Sequence, residues 1–135
     1  DVELAGAPRV SLYARSSAPD TDFFARLVDE YPDGQALEIC YGMVRARHRN
    51  SLDQEEFLTP GDLTLFHINL GATVCMFLKG HRIRLEITSS DFPNHDRNHN
   101  TGKNDLTVTD MVVAHQSVCH GGTSASHLVL PVSPP

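Results

Sequence analysis

"HRIRLEITS", residues 81–89, alternates without a break: Ile83, Leu85 and Ile87 point one way, and Arg82, Arg84, Glu86 and Thr88 the other. A period of two sends successive side chains to opposite faces, so the stretch reads as a strand with one face buried and one in water. The same pattern recurs on both sides of it. Val10, Leu12 and Ala14 mark one strand, Phe23, Ala25 and Leu27 a second, and Leu37, Ile39 and Tyr41 the return. Between the last two, "YPDG" (31–34) supplies Pro at the second turn position with Asp-Gly after it, which predicts a hairpin. Gly42 is expected to mark a bulge or bend before "MVRARHR" (43–49) continues as strand. "TPGD" (59–62) and "KGHR" (79–82) are further turns around "LTLFHINL" and "VCMFL", and "LTVTDMVVAHQ" (106–116) and "HLVLPV" (127–132) complete the strands. About eight short strands with turn signals every 8 to 12 residues or so, and no helical period, predict an all-β sandwich or barrel.

The 135 residues suffice for one domain with its own core, and neither a repeat nor a linker divides them. With 40% apolar and 21% charged residues the chain is of the folded globular kind rather than disordered. No apolar run is long enough for a membrane span, which argues against a membrane partner. Acidic residues outnumber basic ones 17 to 11, and a net charge of −6 argues against nucleic acid. Cys40, Cys75 and Cys119 are odd in number, widely spaced and free of any CxxC. They read as reduced, buried thiols, which favours a cytoplasmic compartment.

Catalytic motifs fail one at a time. "HGGT" (120–123) has the form of an oxyanion loop, but no G-x-S-x-G nucleophile elbow accompanies it, so a glycine turn between strands is the simpler reading. His67 would suit a jelly-roll metal site only with a second histidine two residues on, where Asn69 stands. The loop "SSDFPNHDRNHNTGKND" (89–105) places His95 and His99 four apart beside Asp96, a spacing that two metal-binding imidazoles on a helix would use. The arginines are the organised polar feature. Arg45, Arg47 and Arg49 alternate along one expected strand, and Arg82 and Arg84 along another. They predict either a solvated sheet face paired with carboxylates such as Glu38 and Glu86, or a docking surface, for which Arg is preferred over Lys.

"SSAPDTDFFARLVDEYPDG", "RARHRNS", "LTPGDL", "GHRIRLEITSSDFPNHDRNHNTG" and "SHLVLPV", in that order, resemble the C-terminal domain shared by X-Pro dipeptidyl-peptidases and the cocaine-esterase-like (CocE/NonD) acyl hydrolases. The resemblance covers nearly the whole chain. It implies a galactose-binding-like jelly-roll β-sandwich, residues 1–135, packed on an α/β-hydrolase domain of the same polypeptide that holds the serine, aspartate and histidine of the triad. No catalytic, cofactor or metal residue is then expected here. Relatives commonly carry F-P-x-F-D-R-N-P-N-T-G in the loop, so His95 and His99 stand where an aromatic and a proline are usual, and the metal reading loses force. Changing the two histidines to those residues is expected to leave stability unchanged or slightly higher.

The resemblance also implies an additional strand before the start of this chain, which reads as an excerpt of a larger enzyme. Without that strand, an unpaired sheet edge would invite pairing with another copy. The expected function is an accessory, non-catalytic domain of a serine hydrolase that helps shape the substrate entrance. Its docking surface would comprise Arg45, Arg47, Arg82 and Arg84 with Asp91, Phe92, Asp96 and Arg97 of the loop. The alternative is a stand-alone ligand- or carbohydrate-binding sandwich. A sugar platform wants exposed aromatics, and the chain has no Trp and only Tyr13, Tyr31 and Tyr41.

Overall fold

A computed structural model describes residues 1–134. Nine strands follow one another: β1 (Val2–Gly6), β2 (Arg9–Ser16), β3 (Asp22–Glu30), β4 (Ala36–Arg45), β5 (Thr64–Asn69), β6 (Thr73–Phe77), β7 (Arg82–Thr88), β8 (Gln116–Val118) and β9 (His127–Val129). All pair antiparallel. One layer has the order β4-β3-β7, and the other has β5-β2-β8 with β9 on the same edge of β2 as β8, while β1 and β6 form a ribbon. The chain is therefore a β-sandwich.

Alternation builds the core as the sequence predicts. Val10, Leu12 and Ala14 of β2, Phe23, Ala25 and Leu27 of β3, and Phe66 and Ile68 of β5 are all buried in one cluster. Phe23 and Phe66 meet across the layers with ring centroids 4.9 Å apart, a tilted pair that adds about 0.5–1.5 kcal/mol beyond its area. The "YPDG" turn closes as expected. The Tyr31 amide donates to the Gln35 carbonyl at 2.8 Å, and Gly34 takes the left-handed conformation (φ 89°) that a three-residue hairpin loop needs.

Gly42 behaves differently from the expectation. The register slips at Ile39, where Leu27 faces Cys40 and Val28 faces Glu38, so the bulge lies three residues earlier. Gly42 continues the strand, and a Cβ there would lie 2.0 Å from the Asn69 carbonyl oxygen. It is a point where β4 and the end of β5 touch backbone to backbone.

"MVRARHR" is also not one strand. β4 ends at Arg45, and Ala46–His48 form a single 3-10 turn. The Ala46 amide is captured by the Thr21 carbonyl at 2.8 Å and the Arg47 amide by Asp20 Oδ1 at 2.9 Å. These bonds bend the chain inward, so Arg45, Arg47 and Arg49 do not share a strand face. "LTVTDMVVAHQ" departs too, since only Gln116 onwards pairs with β2. Residues 106–115 instead run as an irregular connection begun by Asn104, which accepts the Thr107 amide on its carbonyl and the Leu106 amide on Oδ1. The three cysteines are free and half-buried rather than fully buried.

Candidate docking surface

The connection from β2 to β3 and the first residue of β3 carry two carboxylates into the interior: Asp20 is 0% and Asp22 1% exposed. Pairing in the hairpin sets Arg45 opposite Asp22, and its guanidinium grips that carboxylate with Nε and Nη2, each at 2.9 Å. This charge-assisted fork holds the Arg45 proton even more firmly than usual, chiefly through the hydrogen bonds to Asp22. The inward bend at Ala46 brings Arg47 Nη1 to 3.2 Å from Asp20 Oδ2. Burial pushes the Asp20 carboxyl above its ordinary value, although the bonds from Asn98 and from the Arg47 amide pull the other way.

The long loop between β7 and β8 is fastened to this charged pair. Asn98 Nδ2 donates to Asp20 Oδ2 at 2.8 Å and to Asp22 Oδ1 at 2.9 Å, while its Oδ1 accepts the Asn100 amide at 2.8 Å. Asp105 Oδ2 approaches Arg47 Nη2 at 3.5 Å and Arg45 Nη1 at 3.7 Å, and Asp105 Oδ1 accepts the His99 amide at 3.0 Å. Arg47 Nη1 also donates to the Lys103 carbonyl at 3.1 Å. Further along, Val112 donates to the His99 carbonyl and Asn100 Nδ2 to the Val112 carbonyl, both at 3.0 Å. Gly102 lies flat on Phe57, where a Cβ would come within 3.0 Å of the ring. A second fastening lies on the outer face of β3, where Arg26 pairs with Asp91 and His95 packs on Phe24 with ring centroids 5.1 Å apart.

The residues expected to form one docking surface therefore separate into three groups. Arg45, Arg47 and Asp96 belong to the interior cluster, Asp96 reaching Arg45 from its rim at 3.3 Å. Arg82 and Arg84 lie on the outer face of β7 with the carboxylates of Glu30 and Glu86, so the repeated arginine of the sequence becomes alternating charge once β3 is beside it. Asp91 lies under Arg26, and Phe92 and Arg97 stand outside as a stacked pair with the guanidinium 4.8 Å from the ring centroid. Phe92 is 61% exposed.

His95 and His99 are not brought together. One packs on Phe24 and Tyr41, and the other turns toward Asp105. No group of three or more His, Cys, Asp or Glu able to hold a metal occurs among the described residues. The bond from the His99 amide also corrects the expectation that proline is harmless there, because proline has no N–H to give Asp105.

The sequence reading passed over Asp20, Asp22 and Asp105. "PDTDFF" carries no local signal for the first two, because an aspartate ahead of a strand is ordinarily exposed and these are buried only by partners distant in sequence. The loop leaves several apolar side chains uncovered, interspersed with Thr107, Thr109 and Asp110. Leu106 is 86%, Val113 79%, Met111 56% and Val112 46% exposed, four apolar side chains left in water.

The sequence profile of the family described as "X-Pro dipeptidyl-peptidase C-terminal non-catalytic domain" matches residues 1–129. Cocaine esterase of Rhodococcus sp. (strain MB1 Bresler) is 41% identical over 133 residues, which cover 97% of this chain and 23% of that protein. Among solved structures, an alpha-amino acid ester hydrolase superposes with a TM-score of 0.90 at 31% identity, over 98% of this chain and 24% of that one. An aminopeptidase from a marine sediment Thaumarchaeota archaeon superposes with a TM-score of 0.92 at 25% identity, again over 98% and 24%. The chain thus spans about a quarter of the length of these relatives.

Proposed function

The chain belongs to the family of X-Pro dipeptidyl-peptidase C-terminal non-catalytic domains, and we propose that it is the accessory part of a serine hydrolase, packed on the α/β-hydrolase domain of the same polypeptide. There it would steady the assembly and help shape the substrate entrance of an enzyme acting on ester or amide acyl groups. The observation that carries this reading is that Leu106, Met111, Val112 and Val113 are exposed on a segment tethered to a buried charge cluster. A sandwich gains nothing by fixing an apolar segment in water, whereas a neighbouring domain would cover it. Phe92 and Arg97 extend the same loop outward, and Arg82 and Arg84 add charge on the adjoining sheet face. In this reading Arg45, Arg47, Asp91 and Asp96 hold the loop in place.

Hydrogen exchange tests the proposal. Amides of residues 106–113 are expected to exchange slowly in the full-length enzyme and quickly in the isolated chain, and the isolated chain is expected to turn over neither a p-nitrophenyl ester nor an X-Pro amide. Equal exchange in both proteins would remove the docking role. Turnover by the isolated chain, abolished by changing one of its serines, would overturn the accessory role itself.

A further inference from the structure

The two layers of the sandwich differ in charge in a way that domain docking through the loop does not use. β3, β4 and β7 contain Asp22, Asp29, Glu30, Glu38 and Glu86, and on their outer face Arg26, Arg82 and Arg84 are each matched by a carboxylate. β2, β5, β8 and β9 contain no Asp or Glu at all. In a chain with 17 acidic residues that is an uneven distribution.

Alternation along β2 buries Val10, Leu12 and Ala14 and turns Arg9, Ser11, Tyr13 and Arg15 outward. Register then assembles two adjacent rows on that outer face. Arg9 lies between Asn69 of β5 and Val129 of β9, and Ser11 lies between His67 of β5 and His127 of β9. Same-face neighbours in adjacent rows are about 7 Å apart, within reach of one small molecule. A groove of about 350 Å³ runs over Arg9, Ser11, His67, Asn69 and Val129, the size at which small-ligand sites begin.

Its polar groups are committed so as to leave donors facing outward. The Arg9 guanidinium has no hydrogen bond or ion pair among the described residues, unlike the strand arginines of the opposite layer. Asn69 Oδ1 is occupied by the Gly71 amide at 3.0 Å, which leaves its NH2 group to donate elsewhere. His127 Nδ1 lies 2.9 Å from the Ala125 carbonyl, which can only accept, so the neutral ring has its proton on Nδ1 and an acceptor at Nε2, and His127 borders the groove without adding a donor to it. Ser11 adds a hydroxyl and His67 an imidazole, neither with a side-chain hydrogen bond among the described residues. A fork of guanidinium donors beside a hydroxyl, an amide NH2 and the His67 imidazole, with no carboxylate on these strands to repel the guest, suits a planar or tetrahedral anion.

We propose that this groove is an oxyanion-binding site, taking the carboxylate or phosphoryl group of a small molecule. Arg9 provides the charge and the paired donors, and Ser11, His67 and the Asn69 amide provide the remaining hydrogen bonds. The proposal is independent of the docking role, since it concerns the opposite layer.

The test is a two-dimensional NMR titration of the isolated chain with succinate in one arm and inorganic phosphate in the other, with sodium chloride at matched ionic strength as the reference. Saturable shifts confined to Arg9, Ser11, His67, Asn69 and His127 are expected in at least one arm, and the responding arm identifies which class of anion is bound. Arg9→Gln should weaken that binding about tenfold or more, the loss of a charged donor pair. Arg15→Gln, on the same face but with its guanidinium on the Gly61 carbonyl at 2.7 Å, should leave it unchanged. Neither change touches the core. Absence of saturation in both arms up to about 50 mM, where even weak affinity would register, overturns the proposal. So do shifts that chloride reproduces, or binding that survives Arg9→Gln.

Discussion

Asn98→Ala is the perturbation that best isolates the fastening of the long loop. Its side chain makes three hydrogen bonds, two of them from Nδ2 to the buried carboxylates of Asp20 and Asp22 at 2.8 and 2.9 Å. A hydrogen bond to a charged group contributes about 1.5–3 kcal/mol, so two of them would total about 3–6 kcal/mol if nothing else served the acceptors. Other donors do serve them. Asp22 keeps the Arg45 fork, and Asp20 keeps the Arg47 amide and guanidinium. The expected loss is therefore lower, about 2–4 kcal/mol, which for 135 residues corresponds to about 7–14 °C in Tm. Thermal and urea unfolding followed by circular dichroism measure it, with Asn94→Ala as control. Asn94 has the same side chain in the same loop, but its side-chain hydrogen bond is a single exposed one to Asp91 at 3.4 Å. If the two variants melted within about 2 °C of each other, the cluster would not be what holds the loop, and the reasoning about its orientation would fail with it.

Arg45→Met strands the Asp22 carboxylate in the core and should cost about 3–5 kcal/mol, whereas Arg82→Met, on an open sheet face, should leave the unfolding midpoint within error; equal losses would refute the division between interior and surface arginines. His95→Phe should be tolerated because an aromatic ring keeps the contact with Phe24, while His99→Pro should cost about 1–3 kcal/mol for the donor taken from buried Asp105, and a stabilised His99→Pro variant would contradict the geometry. Burial raises the Asp20 carboxyl from 3.8 in the folded state, so this group contributes stability that is fully present below 3.8 and is lost as pH rises through its folded value. Wild type should accordingly gain on Asp20→Asn between pH 7 and pH 4 in urea unfolding, and a gap that stays constant or shrinks on acidification would show that burial does not dominate at this carboxyl.

What the sequence disclosed followed from local chemistry. β2 was legible because it buries a single face, so the period of two is written into its residues; β3 and β7 alternate in sequence as well, although β3 is buried on both faces by the loop that covers its outer side, and the hairpin was legible because Pro32, Asp33 and Gly34 determine their own turn. "LTVTDMVVAHQ" carries the same period but lacks a strand edge to pair with before Gln116, and periodicity says nothing about whether an edge exists. The arginines of "MVRARHR" failed for a related reason. Their alternation is a property of a strand, and the strand ends when Thr21 and Asp20, more than twenty residues earlier, capture the amides of Ala46 and Arg47. Long-range pairing of charge has no sequence period, so Asp20, Asp22, Asn98 and Asp105 could be gathered only in three dimensions.

Fastening the loop with charge rather than with apolar contacts has a physical consequence. Four aspartates (Asp20, Asp22, Asp96 and Asp105) meet two guanidiniums, so the cluster is short of positive charge, and taking such groups out of water yields less net stability than a packed apolar anchor of the same volume. What it provides is direction. A leucine in place of Asn98 would have no directional bond, whereas an NH2 group shared between Asp20 Oδ2 and Asp22 Oδ1 fits at one position, and the Asn100 amide on Asn98 Oδ1 then fixes which way the chain leaves. The next fixed points, Asp105 on the two arginines and Asn100 on the Val112 carbonyl, carry that direction to the exposed apolar stretch. Residues 106–113 are thus aimed from Asp105 beside them and from Asn100 on Val112, both tied back to the buried carboxylates through Asn98, Arg45 and Arg47, and the proposed docking role would use that fixed direction.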